Sequence, residues 1–399
     1  MFLSKRIEEM DYSPIRRLGG YVTIAKKKGV DVLHLNIGQP DLETPKEFLN
    51  KLSNIDTSIL RYTDSRGLAE TINAFVRYYS SIGIDLCDDD IVITMGGSEA
   101  LLFSFVSVCD EGDEIIIPEP FYSNYNNFAD TAGVKVVPIQ TTIEDGYSLP
   151  SKNKFIEKIS DKTRAIVISN PCNPTGAVYS KEDLNMLMDL AEEYNLYIIS
   201  DEVYRDFVYD GEVPISIFDL DRDFSRVIMI DSVSKRYSSC GARIGVLVSK
   251  NKDIMANVLK LCQSRLCVPF IEQIMVSAIP DISKDYLCAA KSQYEIRRNA
   301  LVEGLSSIDG IICSAPKGAF YVMVKLPVED SEDFARWILT DFSINGETIM
   351  VAPGSGFYST ENLGKDEIRI SYCLEIEKIK RFIHILAEGL SEYRKIKNL

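Results

Sequence analysis

Polar residues able to do chemistry collect in short groups, each directly behind a run rich in Val and Ile. Behind residues 91–94 stand Met95, Gly96, Gly97, Ser98 and Glu99, a glycine turn opening into a helix whose free backbone N–H groups could hold a phosphate. Behind 165–169 come Asn170, Pro171, Cys172, Asn173, Pro174, Thr175 and Gly176. Two Asn-Pro pairs and a glycine make a rigid turn, which reads as a structural loop or as a device that orients the Asn173 amide. Behind 196–200 come Asp201 and, three residues on, Tyr204; an acid at a buried strand end is costly unless it meets a cation. Behind 227–231 come Ser232, Val233, Ser234 and Lys235, then Arg236, Gly241, Arg243 and Gly245. A lysine beside Ser and Arg is expected to carry a lowered pKa, which is what a nucleophilic amine needs. Taken singly, each group reads as solvated surface. Taken together, they occupy the same edge of one sheet.

The elements that would place them there are visible as a period. The runs 91–94, 114–117, 134–139, 165–169, 196–200, 227–231 and 244–248 lack strict alternation, as expected of strands buried on both faces. Between them lie helical patterns such as 180–194, where Ser180 and Asp183 resemble a capping box and Leu184, Leu187, Met188 and Ala191 recur at helical spacing. Strand–helix alternation predicts an α/β fold, a mostly parallel seven-stranded sheet flanked by helices, with ligands outside the strands' carboxyl ends. Residues 1–45 read as loop-rich. From about residue 285 onward, charged helical stretches (286–305, 330–341, 375–395) surround strands such as 319–326 and 367–372. The division expected is a large domain, 46–285, and a smaller α+β domain built from 1–45 and 286–399.

Composition bounds the function. With 44 Lys and Arg against 59 Asp and Glu, the net charge of −15 argues against nucleic acid or an anionic membrane as partner, without excluding a locally basic pocket. The only histidines, His34 and His384, leave no multi-histidine metal site, and no metal is expected. Nine scattered cysteines without a metal or redox spacing read as buried or half-buried free thiols in a reducing cytosol. The start of the chain lacks a signal-peptide pattern, and the longest apolar stretch, 100–109, is half a membrane span. The expectation is a cytoplasmic protein.

On the residues quoted, and on Leu35, Asn36, Ile37, Gly38, Gln39, Pro40 and Asp41 near the start and Ile368, Arg369, Ile370, Ser371 and Tyr372 near the end, the chain resembles the class I/II aminotransferases of fold type I, which use pyridoxal 5′-phosphate (PLP). The most specific element is Ser232-Val233-Ser234-Lys235 with Gly241, Arg243 and Gly245. Ser239 stands where that family usually has an apolar residue, which implies a packing substitution. The resemblance implies that Lys235 holds the cofactor aldehyde and then moves a proton, and that Asp201 pairs with the pyridine nitrogen. Tyr204 and Asn173 would hydrogen-bond the phenolate oxygen. Arg243, Ser232 and the helix start at Gly97, Ser98 and Glu99 would hold the phosphate. Tyr122 would stack on the ring, and Tyr62 would reach the phosphate of a partner subunit in a homodimer with shared active sites. Arg369, with Gly38 beside it, would clamp the substrate α-carboxylate.

The implied reaction moves an α-amino group between an L-amino acid and a 2-oxo acid in a ping-pong cycle. Aspartate or glutamate as donor needs a second cation, for which Arg265 is the candidate by its resemblance to the segment that crosses the dimer interface in aspartate enzymes. Without it, a neutral side chain is expected. A PLP-dependent lyase, such as a C–S β-lyase, a decarboxylase or a cyclopropane-forming synthase, shares every cofactor residue and is the rival reading. A PLP-sensing transcription-factor domain would need a basic helix-turn-helix before residue 1. A nicotinamide dehydrogenase would need a three-glycine dinucleotide turn, and no run here is followed by one.

Overall fold

The computed structural model describes every residue except Met1, Glu9, Asn54 and Asp56. All seven expected runs form strands of one sheet, in the order Ile91–Thr94, Gly245–Val248, Val227–Ser232, Tyr197–Asp201, Thr163–Ser169, Glu114–Glu119, Lys135–Gln140. Pairing is parallel except around Gly245–Val248, which runs antiparallel to both neighbours. The absence of strict alternation has a direct cause. Ile91, Ile93, Ile166, Ile168 and Val246 enter the hydrophobic cluster on one face, while Val92, Ala165, Val167 and Leu247 enter the cluster on the other. Both faces are apolar, so consecutive positions in the middle of a strand are apolar alike. Between strands, helix Lys181–Tyr194 begins with the expected reciprocal capping box of Ser180 and Asp183 and buries Leu184, Leu187, Met188 and Ala191.

A third cluster packs helices Lys284–Ser306, Ser331–Thr340 and Ile376–Lys397 against a four-stranded antiparallel sheet that includes Tyr321–Lys325 and Glu367–Ser371. Strand Asp31–His34 pairs in parallel with Glu347–Met350, so the beginning and the last quarter of the chain share this core. Three features differ from expectation. The stretch 1–45 is not merely loop: a helix, Gly19–Lys27, starts on two glycines, because Val22 and Ala25 bury against the layer below and packing outweighs low propensity. Helix Lys284–Ser306 begins at the expected 285/286 boundary, while Tyr204, Phe207 and Tyr209, from the middle of the chain, belong to the terminal cluster. Cys87 and Cys288 are exposed rather than buried, Cys87 because it caps the short 3-10 turn Asp88–Asp90. All nine thiols are free. Among the described residues no helix is long and apolar enough to cross a membrane, and no group of acids, thiols and imidazoles could hold a metal ion.

At the sheet edge, Gly245 lies opposite both Thr94 and Ser232. A Cβ on Gly245 would lie 2.5 Å from the Gly96 carbonyl carbon and 2.7 Å from the Gly97 nitrogen. Strand and helix start therefore touch backbone to backbone. Gly245→Ala should destabilise the fold by about 1–3 kcal/mol or more, since only backbone can give way. Denaturant unfolding checks this; an unchanged midpoint would mean that the close approach is not needed.

Candidate active site

The carboxyl ends of Thr163–Ser169, Tyr197–Asp201 and Val227–Ser232 meet the opening of Gly245–Val248 beneath a cavity of about 780 Å³. Lys235, Asp201, Tyr204, Asn173, Ser232, Arg243, Gly97, Ser98, Tyr122, Arg369 and Gly38 all line it. Eleven residues from eight separated segments thus converge on one space.

At its base sits Asp201, whose carboxylate accepts a hydrogen bond of 2.8 Å from Tyr125. Burial pushes its pKa up to about 6, opposed by that bond and by the Val203 N–H. Lys235 follows on the short helix Val233–Arg236 and donates to the Gly38 carbonyl at 2.8 Å. The expected depression of its pKa is not found. Burial pulls it down, but Tyr321, Cys240, Cys373 and Tyr122 outweigh that, and the net direction is upward. The physical reason is orientation: Arg236 turns into the core to meet Asp206 and Asp231, and Arg243 turns to the Cys240 and Met95 carbonyls. Both guanidinium groups near it in sequence are thus taken up by other partners. The Tyr204 hydroxyl lies 2.8 Å from that of Tyr321, and its ring centroid is 5.9 Å from the Lys235 nitrogen.

One end of the cavity gathers groups that could hold an anion of phosphate type. Helix Gly96–Val108 points its first turn there, with Gly97 and Ser98 in the lining. Arg243 adopts the left-handed conformation (φ 53°), and a Cβ on Gly96 would lie 2.4 Å from its guanidinium. Among the described residues Arg243 has no carboxylate partner. Ser232 and Ser234, with hydroxyl oxygens 2.8 Å apart, complete a set of donors. A cation, a helix start, two hydroxyls, an amine and a buried acid suit a phosphate-bearing pyridine aldehyde.

At the other end Arg369 is almost fully buried and meets no carboxylate among the described residues. Its two terminal nitrogens donate to Asn173 Oδ1 at 2.8 Å and to the Asn36 carbonyl at 2.6 Å, and Nε has no partner. Tyr321 lies against it at 4.3 Å. Burial lowers its pKa, against the pull of Tyr321 and Tyr204. A buried guanidinium held only by neutral acceptors is short of a counter-charge and could take an anion.

Three expected residues are not brought into the cavity of this chain. Glu99 turns back to accept from the Met95 N–H at 2.9 Å and pairs with Arg265 at 2.9 Å. Arg265 is thereby engaged with Glu99 and the Ser65 carbonyl, a structural tie from the end of helix Lys252–Arg265 to the first turn of helix Gly96–Val108. Tyr62 is 80% exposed. Ser239 is buried with its hydroxyl donating to the Tyr237 carbonyl, so the departure from an apolar residue is satisfied. Sequence reasoning missed Tyr125, Tyr321, Ser13, Ile15 and Arg16. Tyr125 was within reach, being one helical turn beyond Tyr122. Tyr321 opens the strand Tyr321–Lys325, already recognised, that pairs with the strand of Arg369. Nothing in local pattern marks residues 13–16.

The model of the family described as aminotransferase class I and II matches residues 30–386. An aspartate aminotransferase of Pyrococcus horikoshii is 32% identical over 98% of this chain and 97% of its own length. A (5-formylfuran-3-yl)methyl phosphate transaminase of Methanocaldococcus jannaschii is also 32% identical, over 98% of this chain and all of its own. Among solved structures, an alanine aminotransferase of Pyrococcus furiosus superposes with a TM-score of 0.89 at 31% identity, covering 98% of this chain and 100% of that one.

The raised pKa of Asp201 has a measurable consequence. At about 6 against an ordinary 3.8, the folded chain holds this proton more tightly than the unfolded chain does. Ionising it therefore costs stability as pH rises from about 4 to about 6. In the cofactor-free protein, Asp201→Asn should raise stability by up to about 3 kcal/mol at pH 7.5 and by about half of that at pH 5. Urea unfolding at the two pH values reads it. An equal effect at both would mean that Asp201 is not the group being relieved.

Proposed function

The chain belongs to the aminotransferase class I and II family, and on that premise we propose that its sheet-edge cavity binds PLP and uses it to exchange an α-amino group between an L-amino acid and a 2-oxo acid. The observation that carries the reading is Arg369, a buried guanidinium without a carboxylate, in the same cavity as the amine of Lys235. An α-amino acid needs both: a cation for its carboxylate and a reactive centre for its nitrogen.

When bound, PLP supplies an aldehyde for the substrate amine and a ring that accepts electrons from Cα. The protein's part is to hold and to move protons. Arg243, Ser232 and the N–H groups of Gly97 and Ser98 hold the phosphate. Asp201, oriented by Tyr125, pairs with the pyridine nitrogen, and that partnership keeps its carboxylate ionised although burial alone disfavours it. Tyr122 would cover the ring, while Asn173 and Tyr204 would donate to its phenolate oxygen. Arg369 receives the substrate carboxylate, which replaces neutral acceptors by an ion pair. Lys235 then takes the proton from substrate Cα. Its raised pKa belongs to the cofactor-free chain, where an unmodified ammonium sits among phenols and thiols.

The named activities of relatives at similar identity, on aspartate and on a furan phosphate, share transfer of an amino group and not the substrate. We infer the reaction from them and not the substrate. A panel of L-amino acids with 2-oxoglutarate, followed by transfer of ¹⁵N to the acceptor, should give turnover with at least one donor. Lys235→Ala should abolish it, and Arg369→Gln should raise KM about 100-fold by leaving a carboxylate unpaired. Ammonia released without any 2-oxo acid would favour the lyase instead.

We propose further that two copies share their sites. Tyr62 is supported in that role by its exposure beside Ile59 and Leu60, an apolar strip on one chain. Tyr62→Ala should weaken PLP affinity about tenfold while sedimentation still gives a dimer. An active monomer would remove the role.

A further inference from the structure

Four cations line the cavity: Lys235, Arg243, Arg369 and Arg16. The proposed chemistry uses the first three. Arg16 belongs to no sequence motif, and its side chain has no ion pair or hydrogen bond among the described residues. We propose that Arg16 is the specificity-determining residue of this site, binding a distal anionic group on the substrate, so that the preferred substrates are amino acids and 2-oxo acids with an acidic side chain. This deepens the aminotransferase reading and rests on it.

The placement of Arg16 is constructed. Pro14 packs against Gly356 so closely that a Cβ there would lie 2.2 Å from the proline ring. The Ile15 carbonyl accepts a 2.7 Å hydrogen bond from the Asn36 amide, and the carbonyl of Asn36 itself accepts from Arg369. Arg17 pairs with Glu332, and Leu18 is buried in the terminal cluster. Every neighbour of residue 16 is thus anchored, and two hydrogen bonds join its segment to the guanidinium proposed to take the α-carboxylate. The cation next in sequence has a carboxylate partner and the one facing the cavity has none. The one carboxylate in the lining is Asp201, already held by Tyr125 at the base. Among the described residues of the lining, a distal anion therefore meets a cation at Arg16 and no second acid. Arg265, the earlier candidate for this role, is engaged with Glu99.

An exposed guanidinium acts through a solvent-screened, charge-assisted bond made alike in ground and transition states, so its loss falls on KM and not on kcat. In the PLP-loaded enzyme, Arg16→Gln should raise KM for L-glutamate and L-aspartate by about 10- to 50-fold, leaving kcat and the KM for L-alanine and L-phenylalanine within about twofold. Arg16→Lys should recover part of the loss. Binding gives a readout independent of turnover: glutarate should bind wild type at least about tenfold more tightly than pentanoate, and Arg16→Gln should erase the difference. O-phospho-L-serine serves as a second arm. A preference for it over glutamate, lost in Arg16→Gln, assigns the distal group as phosphoryl; the reverse preference assigns it as carboxylate. Equal changes for neutral and acidic substrates, or no discrimination between glutarate and pentanoate in wild type, would overturn the role of Arg16. Absence of turnover with every donor would remove the aminotransferase reading, and the glutarate and pentanoate pair would still decide Arg16.

Discussion

Two arginines, Arg236 and Arg369, are buried to the same 1% exposure, and the difference in their partners organises the molecule. Arg236 lies between Asp206 and Asp231, with Asp231 also accepting from Tyr79 at 2.9 Å. Arg369 has an amide oxygen, a peptide carbonyl and two aromatic faces. Burying a cation costs several kcal/mol unless an anion accompanies it. The first arginine recovers that cost within the chain. The second is left short, and an anionic ligand would make up the difference, adding to stability whenever it binds.

The paired cluster also sets where the reactive lysine goes. Lys235 and Arg236 are neighbours on a single helical turn at the end of Val227–Ser232, and they must point apart. Asp231, next to last in the strand and inside the core, takes Arg236 at 2.8 Å, which turns Lys235 outward to the Gly38 carbonyl. Arg205 extends the cluster toward Glu202, one residue beyond Asp201. The acid at the cavity base and the lysine on its wall are therefore tied to one ionic knot behind the sheet edge. Breaking one partner of such a knot leaves a buried charge alone, so it is stiff.

Much of the sheet was legible in sequence because burial on both faces writes itself locally: each strand is a run of β-branched residues, and the polar group behind it marks the functional edge. Lys235, Asp201, Asn173 and Arg369 could be picked out on that ground together with the family resemblance. What could not be read is set across elements. Tyr125 serves Asp201 from a helix far earlier in the chain, and Tyr321 meets Tyr204 because both pack into the terminal cluster from segments far apart in sequence. The pKa of Lys235 went the wrong way for the same reason: sequence adjacency to Arg236 says nothing of direction. Residues 13–16 carry no periodicity, and their place over the cavity follows from Pro14, Arg17 and Leu18 finding sites more than three hundred residues away.

That anchoring separates two kinds of position. The sheet-edge residues are bound to one another, so Gly245 cannot gain a methyl group without displacing the helix start, and Arg236 cannot lose its charge without taking from Asp206 its ion-pair partner. Residue 16 is held only through its neighbours and its backbone. Its side chain can change without disturbing a packed contact, so this is where selectivity can vary at little cost to the fold. The net charge of −15 sharpens the point. On an acidic exterior, an anionic substrate gains nothing from long-range attraction at physiological salt, where fields fade within about 8 Å. Recognition has to be local, and the cavity, with four cations against one held carboxylate, is where the sign reverses.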